Sequence, residues 1–145
     1  MKIDLDLDQF GKNIEFTRKI GLRAVQLDAE KVILEMPQEG NANHIGTMYA
    51  GALFTLAEVT GGAVAAVYLM KGDTYPIVKG LNIKFTRPAN SNVRCEYTMG
   101  LDEAQKIMDE CDKNKKADYN LNMQLQDKDG TVVAVAEGFY QLRKG

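Results

Sequence analysis

Apolar and polar residues alternate with a period of two along much of the chain. Val32, Leu34 and Met36 interleave with Ile33 and Glu35, and a turn at Asp28 to Glu30 separates this run from a shorter one at Ala24 to Leu27. Leu81, Ile83 and Phe85 alternate with Asn82, Lys84 and Thr86. Val93, Cys95, Tyr97 and Met99 do so with Arg94, Glu96 and Thr98. The strongest alternation is Tyr119, Leu121, Met123 and Leu125 against Asp118, Asn120, Asn122, Gln124 and Gln126. A turn at Asp127 to Gly130 leads from it into a last run, Thr131 to Leu142, which predicts a hairpin. Each run has one apolar face, the pattern of antiparallel strands packed on one side only.

Three stretches break this period. Leu7, Phe10, Ile14 and Ile20 fall on one face at helical spacing, with Asp6 or Asp8 as N-cap and Gly21 as stop, so a helix is expected near residues 8–19. Asp102 to Lys116 carries Ile107, Met108 and Cys111 at helical spacing, acidic residues first and lysines last, as the helix dipole favours; it predicts a short surface helix. Between them, Ile45 to Met70 contains no proline and one charged side chain, Glu58. A membrane span is disfavoured, because a carboxylate at its centre costs roughly 2.5–3.5 kcal/mol and the flanking segments alternate like soluble strands. A helix buried on all sides by protein fits better. Its small residues, Ala50, Gly51, Ala52, Ala57, Gly61, Gly62, Ala63, Ala65 and Ala66, would let a curved sheet approach its axis. The aperiodic stretch 38–47 before it reads as a loop.

The chain of 145 residues suits a single domain, 1–145, of the α+β class: five or six antiparallel strands around one long buried helix. With 45% hydrophobic and 26% charged residues it has the composition of a folded protein. Eighteen basic residues against twenty acidic ones, without a run of either sign, argue against a nucleic-acid partner. Cys95, Cys111 and the single histidine, His44, share no metal-ligand spacing, so no metal site is expected. The opening segment MKIDLDLDQFGK is too acidic for a signal peptide, which predicts a cytoplasmic protein with reduced thiols.

Residues 43–58, running from Asn43-His44-Ile45-Gly46-Thr47 through Tyr49-Ala50-Gly51 to Glu58, resemble the signature of the phenylacetate-degradation-type acyl-CoA thioesterases, a hotdog-fold family. There an asparagine, a Gly-Thr pair and a His-Gly-Gly-like triplet precede an acidic residue on the buried helix, fifteen positions after the asparagine. Asn43 and Glu58 have that separation. Leu81 to Ala89 is similar to the family's third strand, with its Asn-x-x-aromatic-x-x-Pro-Ala run. The chain departs from the pattern in having Tyr49-Ala50-Gly51 where His-Gly-Gly is usual, and Val78 where some members carry serine or threonine.

The resemblance implies hydrolysis of an acyl-CoA or acyl-carrier thioester, with no cofactor beyond the substrate. Such a reaction needs a base or nucleophile, donors for the developing oxyanion, and groups that hold the reactants in line. Glu58, desolvated on an apolar helix, would be the base or the nucleophile. The backbone N–H groups of Ala50 and Gly51 at the start of that helix would receive the oxyanion. Asn43 could orient water or thioester through its amide, or could form an Asx turn. His44, Gly46, Thr47 and Tyr49 fall beside it as substrate contacts, with Met48 and Phe54 as pocket wall. Lys79, with Gly80 next to it, and Lys84 and Arg87 could meet the CoA phosphates.

Two other functions suit the same fold. Hotdog dehydratases of 3-hydroxyacyl thioesters pair a loop histidine with an acidic helix residue fourteen positions later, the separation of His44 and Glu58. An acyl-thioester-binding domain without chemistry would keep the pocket alone. Because the family's pockets lie between subunits, a homodimer or dimer of dimers is expected, with Asn43 and Glu58 of different chains meeting in one site; no membrane partner is implied.

Overall fold

The computed structural model describes residues 5–145, so the first four residues of the acidic opening segment lie outside it. The chain forms a short helix α1 (Glu15–Ile20), strands β1 (Arg23–Leu27) and β2 (Val32–Met36), a long helix α2 (Ala50–Val64), strands β3 (Thr74–Phe85) and β4 (Val93–Tyr97), helix α3 (Leu101–Asn114), and strands β5 (Lys116–Gln126) and β6 (Val132–Lys144). The six strands make one antiparallel sheet in the order β1-β2-β4-β5-β6-β3. It wraps around α2, which packs against β2 to β6. This is the α+β hotdog architecture expected from the sequence.

The alternation maps onto the sheet directly. In β5, Ala117, Tyr119, Leu121, Met123 and Leu125 are buried and the residues between them exposed. The β5–β6 turn is set by Asp127, whose carboxylate accepts from the N–H groups of Asp129 and Thr131, and by Gly130 at φ 81°. β2 is buried on both faces, since Val32, Leu34 and Met36 face the core while Glu35, on the other face, is covered by its neighbours. Arg23 of β1 and Arg94 of β4 lie opposite Glu35 and both donate to its carboxylate, Arg94 Nε at 2.7 Å from Oε2. Burial opposes ionisation of Glu35, but the two guanidinium groups outweigh it and hold its pKa below the ordinary glutamate range.

Two elements depart from expectation. The opening helix begins at Glu15, not near residue 8, because Gly11 adopts φ 85° and Asp6 accepts from Asp8 N–H in a local turn. Of its expected apolar face only Phe10 is buried and Ile20 partly so; Leu7 and Ile14 are exposed. β3 begins at Thr74, seven residues before the alternation becomes regular, and runs through Pro76 and Gly80. A proline without an N–H is tolerated there because β3 is an edge strand. The apolar stretch ends in a π-helical turn, Ala65–Leu69, and most of its surface is buried inside the molecule, as a core helix requires.

Removing the charge that clamps three strands should be felt. Glu35→Gln is expected to lower stability at pH 7 by ~1–2 kcal/mol, the outward guanidinium groups being partly screened. A depressed pKa stabilises above the unfolded value, so the deficit should shrink as pH falls through the native pKa of Glu35; urea unfolding at pH 7 and pH 3 measures this.

Candidate functional site

Glu58 sits in the third turn of α2, a helix that otherwise carries no charge. Its neighbours Ala57 and Val59 are buried, and the carboxylate makes no hydrogen bond or ion pair among the described residues. Burial alone raises its pKa above the ordinary glutamate value. It opens into a cleft of about 450 Å³ lined by α1 and the residue before it (Ile14, Phe16, Thr17), by α2 (Phe54, Thr55, Val59) and by β3 from Val78 to Leu81. Among the sequence-derived candidates, Lys79 and Gly80 are therefore brought to Glu58. The β3–β6 register shifts between Val78 and Gly80, so Lys79 is an extra residue bulged out of the ladder beside the cleft. Its ammonium lies 3.6 Å from the exposed carboxylate of Asp118.

The other candidates gather at the start of α2. A second cleft, of about 360 Å³, is lined by Asn43, Thr47 and Ala50 on one side and by Phe85, Arg87 and Ala89 on the other. The two motif stretches of the sequence meet here: Met48 N–H donates to Ala89 carbonyl at 2.9 Å, and Tyr49 N–H to Asn41 carbonyl at 2.8 Å. Ala52 and Leu53 both donate to the Tyr49 carbonyl, which leaves the N–H groups of Ala50 and Gly51 as the free donors of the helix start. The Tyr49 ring folds over Gly51, where a β-carbon would lie 2.4 Å from ring Cε2; the glycine permits this contact.

The Asn43 amide is largely committed to its own loop. Oδ1 accepts from Ile45 and Thr47 N–H at 3.0 and 3.1 Å, and Nδ2 donates to Thr47 Oγ1 at 2.8 Å. One amide hydrogen is left for anything else. Gly46, at φ 83°, closes this turn. His44 is exposed on the same loop and lines neither cleft. Lys84 points away from both, into a polar groove on the outer face of the sheet with Asn82, Asn122 and Glu137. Among the described residues no group of three or more His, Cys, Asp or Glu is placed to hold a metal.

One chain thus presents two clefts with no lining residue in common: Glu58 with Val78–Leu81, and Asn43 with the α2 N-terminus and Phe85–Ala89. Gly51 and Glu58 are separated by about 10 Å along the helix axis. Sequence reasoning missed Ile14, Phe16 and Thr17 as cleft wall, and also Tyr140, whose hydroxyl donates to the Glu58 carbonyl at 3.0 Å. No local pattern signals a contact across eighty-two positions.

Residues 8–139 match a family described as a domain of unknown function, DUF4442. The chain belongs to that family. Its fold is that of the hotdog thioesterase superfamily. The chain is similar over its whole length, and over the whole of the other chain, to a protein of unknown function from Pseudomonas aeruginosa described as a probable thioesterase, with 40% identity and a TM-score of 0.91. It shares its fold with a protein of unknown function from Chlorobaculum tepidum (17% identity, TM-score 0.83, covering 96% of this chain and 92% of that one). A thioesterase from Haemophilus influenzae has it too (12% identity, TM-score 0.73, covering 99% and 94%). The Pseudomonas aeruginosa neighbour of the DUF4442 chain supports a function of thioesterase type.

A carboxyl group with a raised native pKa is neutral longer in the folded than in the unfolded protein. It costs no stability below the unfolded pKa, and the cost grows until pH passes the native value. Glu58→Gln should therefore raise the midpoint of thermal unfolding at pH 7 by roughly 2–4 °C. The gain should vanish near pH 3, which calorimetry at the two pH values measures.

Proposed function

We propose that the protein hydrolyses an acyl-CoA or acyl-carrier thioester to free acid and thiol at the Glu58 cleft. The observation that carries this reading is a desolvated, unpaired carboxylate opening onto an apolar groove. Phe54, Val78, Ile14 and Phe16 give that groove the character of an acyl-chain site, with Glu58 at its side. Either Glu58 takes a proton from water as the water oxygen attacks the thioester carbonyl, or its own oxygen attacks first and water releases the acyl group. In the first route the C–S bond breaks and Glu58 passes that proton to the leaving thiolate; in the second the thiolate leaves as an acyl–Glu58 anhydride forms, and the water that hydrolyses the anhydride supplies the thiol proton. The free N–H groups of Ala50 and Gly51 suit the developing oxyanion. No cofactor is required, and a cytoplasmic location fits such substrates.

The half-sites of one chain call for a second copy. β3 is a twelve-residue edge strand with Val78 and Phe85 exposed, a strand of the kind that pairs. Antiparallel pairing of two β3 strands about a two-fold axis near Asn82 would set Val78–Leu81 of one chain beside Phe85 and Thr86 of the other. The Glu58 half-site of one protomer would then face the Asn43 and Ala50 half-site of its partner. A further pairing of such dimers would give a dimer of dimers. His44 is exposed and lines neither cleft, so dehydration has no support beyond its sequence spacing from Glu58.

The test is release of thiol from acyl-CoA substrates of increasing chain length, with a 3-hydroxyacyl-CoA and its enoyl counterpart as controls. Glu58→Gln should reduce kcat/KM by about a hundredfold or more. The acid limb of the wild-type profile should lie above the ordinary glutamate range, because activity requires the carboxylate and burial raises its pKa. Interconversion of hydroxyacyl and enoyl forms without thiol release would make the protein a dehydratase, and binding without turnover would make it an acyl-thioester-binding domain.

The shared site has its own test. Glu58→Gln and Asn43→Ala chains, unfolded and refolded together, should recover roughly a quarter of wild-type activity, since random pairing gives half mixed dimers with one intact site each. A site built within one chain would recover none.

A further inference from the structure

Tyr140 occupies a slot from which two other side chains are missing. A β-carbon on Gly61 of α2 would lie 1.9 Å from its Cζ, and one on Gly138 of β6 would lie 2.3 Å from its Cε2. A glycine in a helix interior is disfavoured relative to alanine, so this slot is not the cheapest way to pack a helix on a sheet. What the slot achieves is placement of one hydroxyl on the backbone carbonyl of Glu58, at 3.0 Å. The regular helix offers that carbonyl to Gly62, and the phenol takes its second lone pair. The ring is held on its other side by Tyr119, stacked at 5.3 Å between centroids and 14° between planes. Tyr140 is also the β6 partner of Val78, where β3 forms the facing wall of the Glu58 cleft next to the Lys79 bulge. One side chain thus ties the helix turn carrying the carboxylate to the strand pair that builds the opposite wall.

We propose that Tyr140 is a positioning residue for Glu58, fixing the depth of the cleft by tying the Glu58 carbonyl to the sheet. The inference rests on the reading of Glu58 as the reacting group. The charged and titratable groups around Glu58 are few: Lys79 from β3, Tyr140 from β6 and Tyr119 from β5. Tyr119 and Tyr140 are neutral phenols, pushed up first by burial and then by the Glu58 charge. Without the tie, the α2 turn is free to lift from β6, water enters, and the carboxylate loses both its aim and its desolvation.

The experiment compares wild type with Tyr140→Phe, which keeps the ring in its slot and removes only the hydroxyl. Tyr119→Phe is the control, because the Tyr119 hydroxyl is buried with no partner among the described residues. Two readouts are taken: thiol-release kinetics, and the titration of the Glu58 carboxyl carbon by NMR on protein without substrate. Tyr140→Phe should lower kcat about tenfold with KM within threefold, and should move the Glu58 titration down toward the ordinary carboxylate range; Tyr119→Phe should change neither beyond twofold. The proposal is overturned if Tyr140→Phe leaves both readouts at wild-type values, or if Tyr119→Phe shifts them equally, which would mark general loosening of the core. If wild type hydrolyses no thioester but Tyr140→Phe still shifts the Glu58 titration, hydrolysis falls as the function and the positioning contact stands.

Discussion

Almost everything in this molecule follows from having to bury a helix with a single charge in it. α2 is apolar along its length, so the sheet curls around it with β2 to β6 all in contact, and only the face with Phe54, Thr55 and Glu58 stays open. The hydrophobic gain is non-directional, and small residues decide where the approach is closest. At Gly61 the sheet comes so near that a tyrosine ring takes the place of the absent methyl. The carboxylate of Glu58 is carried into this environment by the helix and remains unpaired, a costly state for a charged group.

The same constraint explains why the two clefts are where they are. Wrapping a sheet around one helix leaves both helix flanks next to β3, the last strand on its side of the sheet. The Glu58 cleft takes its wall from the middle of β3, and the Asn43 cleft from the end of β3 and the Pro88-Ala89 turn. β1, at the other edge, is short and locked by the Arg23–Glu35–Arg94 cluster. The two edges differ in chemistry: one is closed by charge, and the other is long, partly apolar and bordered by both clefts.

Much of the fold is legible in the chain because strands with one wet face must alternate. Val93 to Tyr97, Lys116 to Gln126 and the last strand show this clearly, and the charge gradient over Asp102 to Lys116 marks α3 equally well. The start of β3 is not legible, since Pro76 and Gly80 are read locally as breakers and only a position at the sheet edge makes them acceptable. The opening helix is overextended by periodicity because a single left-handed glycine, Gly11, outweighs four apolar positions. Glu58 stands out as the one charge in an apolar run, and Asn43 by its distance from Glu58. The committed state of the Asn43 amide, the wall formed by Ile14 and Phe16, and the Tyr140 contact are all invisible, because each depends on residues brought together by the fold.

The two thiols add a property of another kind. Cys95 is fully enclosed between the sheet and α2, where burial pushes its pKa up to about 12, and Cys111 is enclosed on the buried face of α3. A thiolate is what reacts with electrophilic reagents, so in the native protein both sulfurs are silent. The chain therefore contributes background to a colorimetric count of liberated thiols only as fast as its core opens. Any slow labelling that does occur measures how often the core opens, so each cysteine is a local clock for the breathing of the layer that covers it.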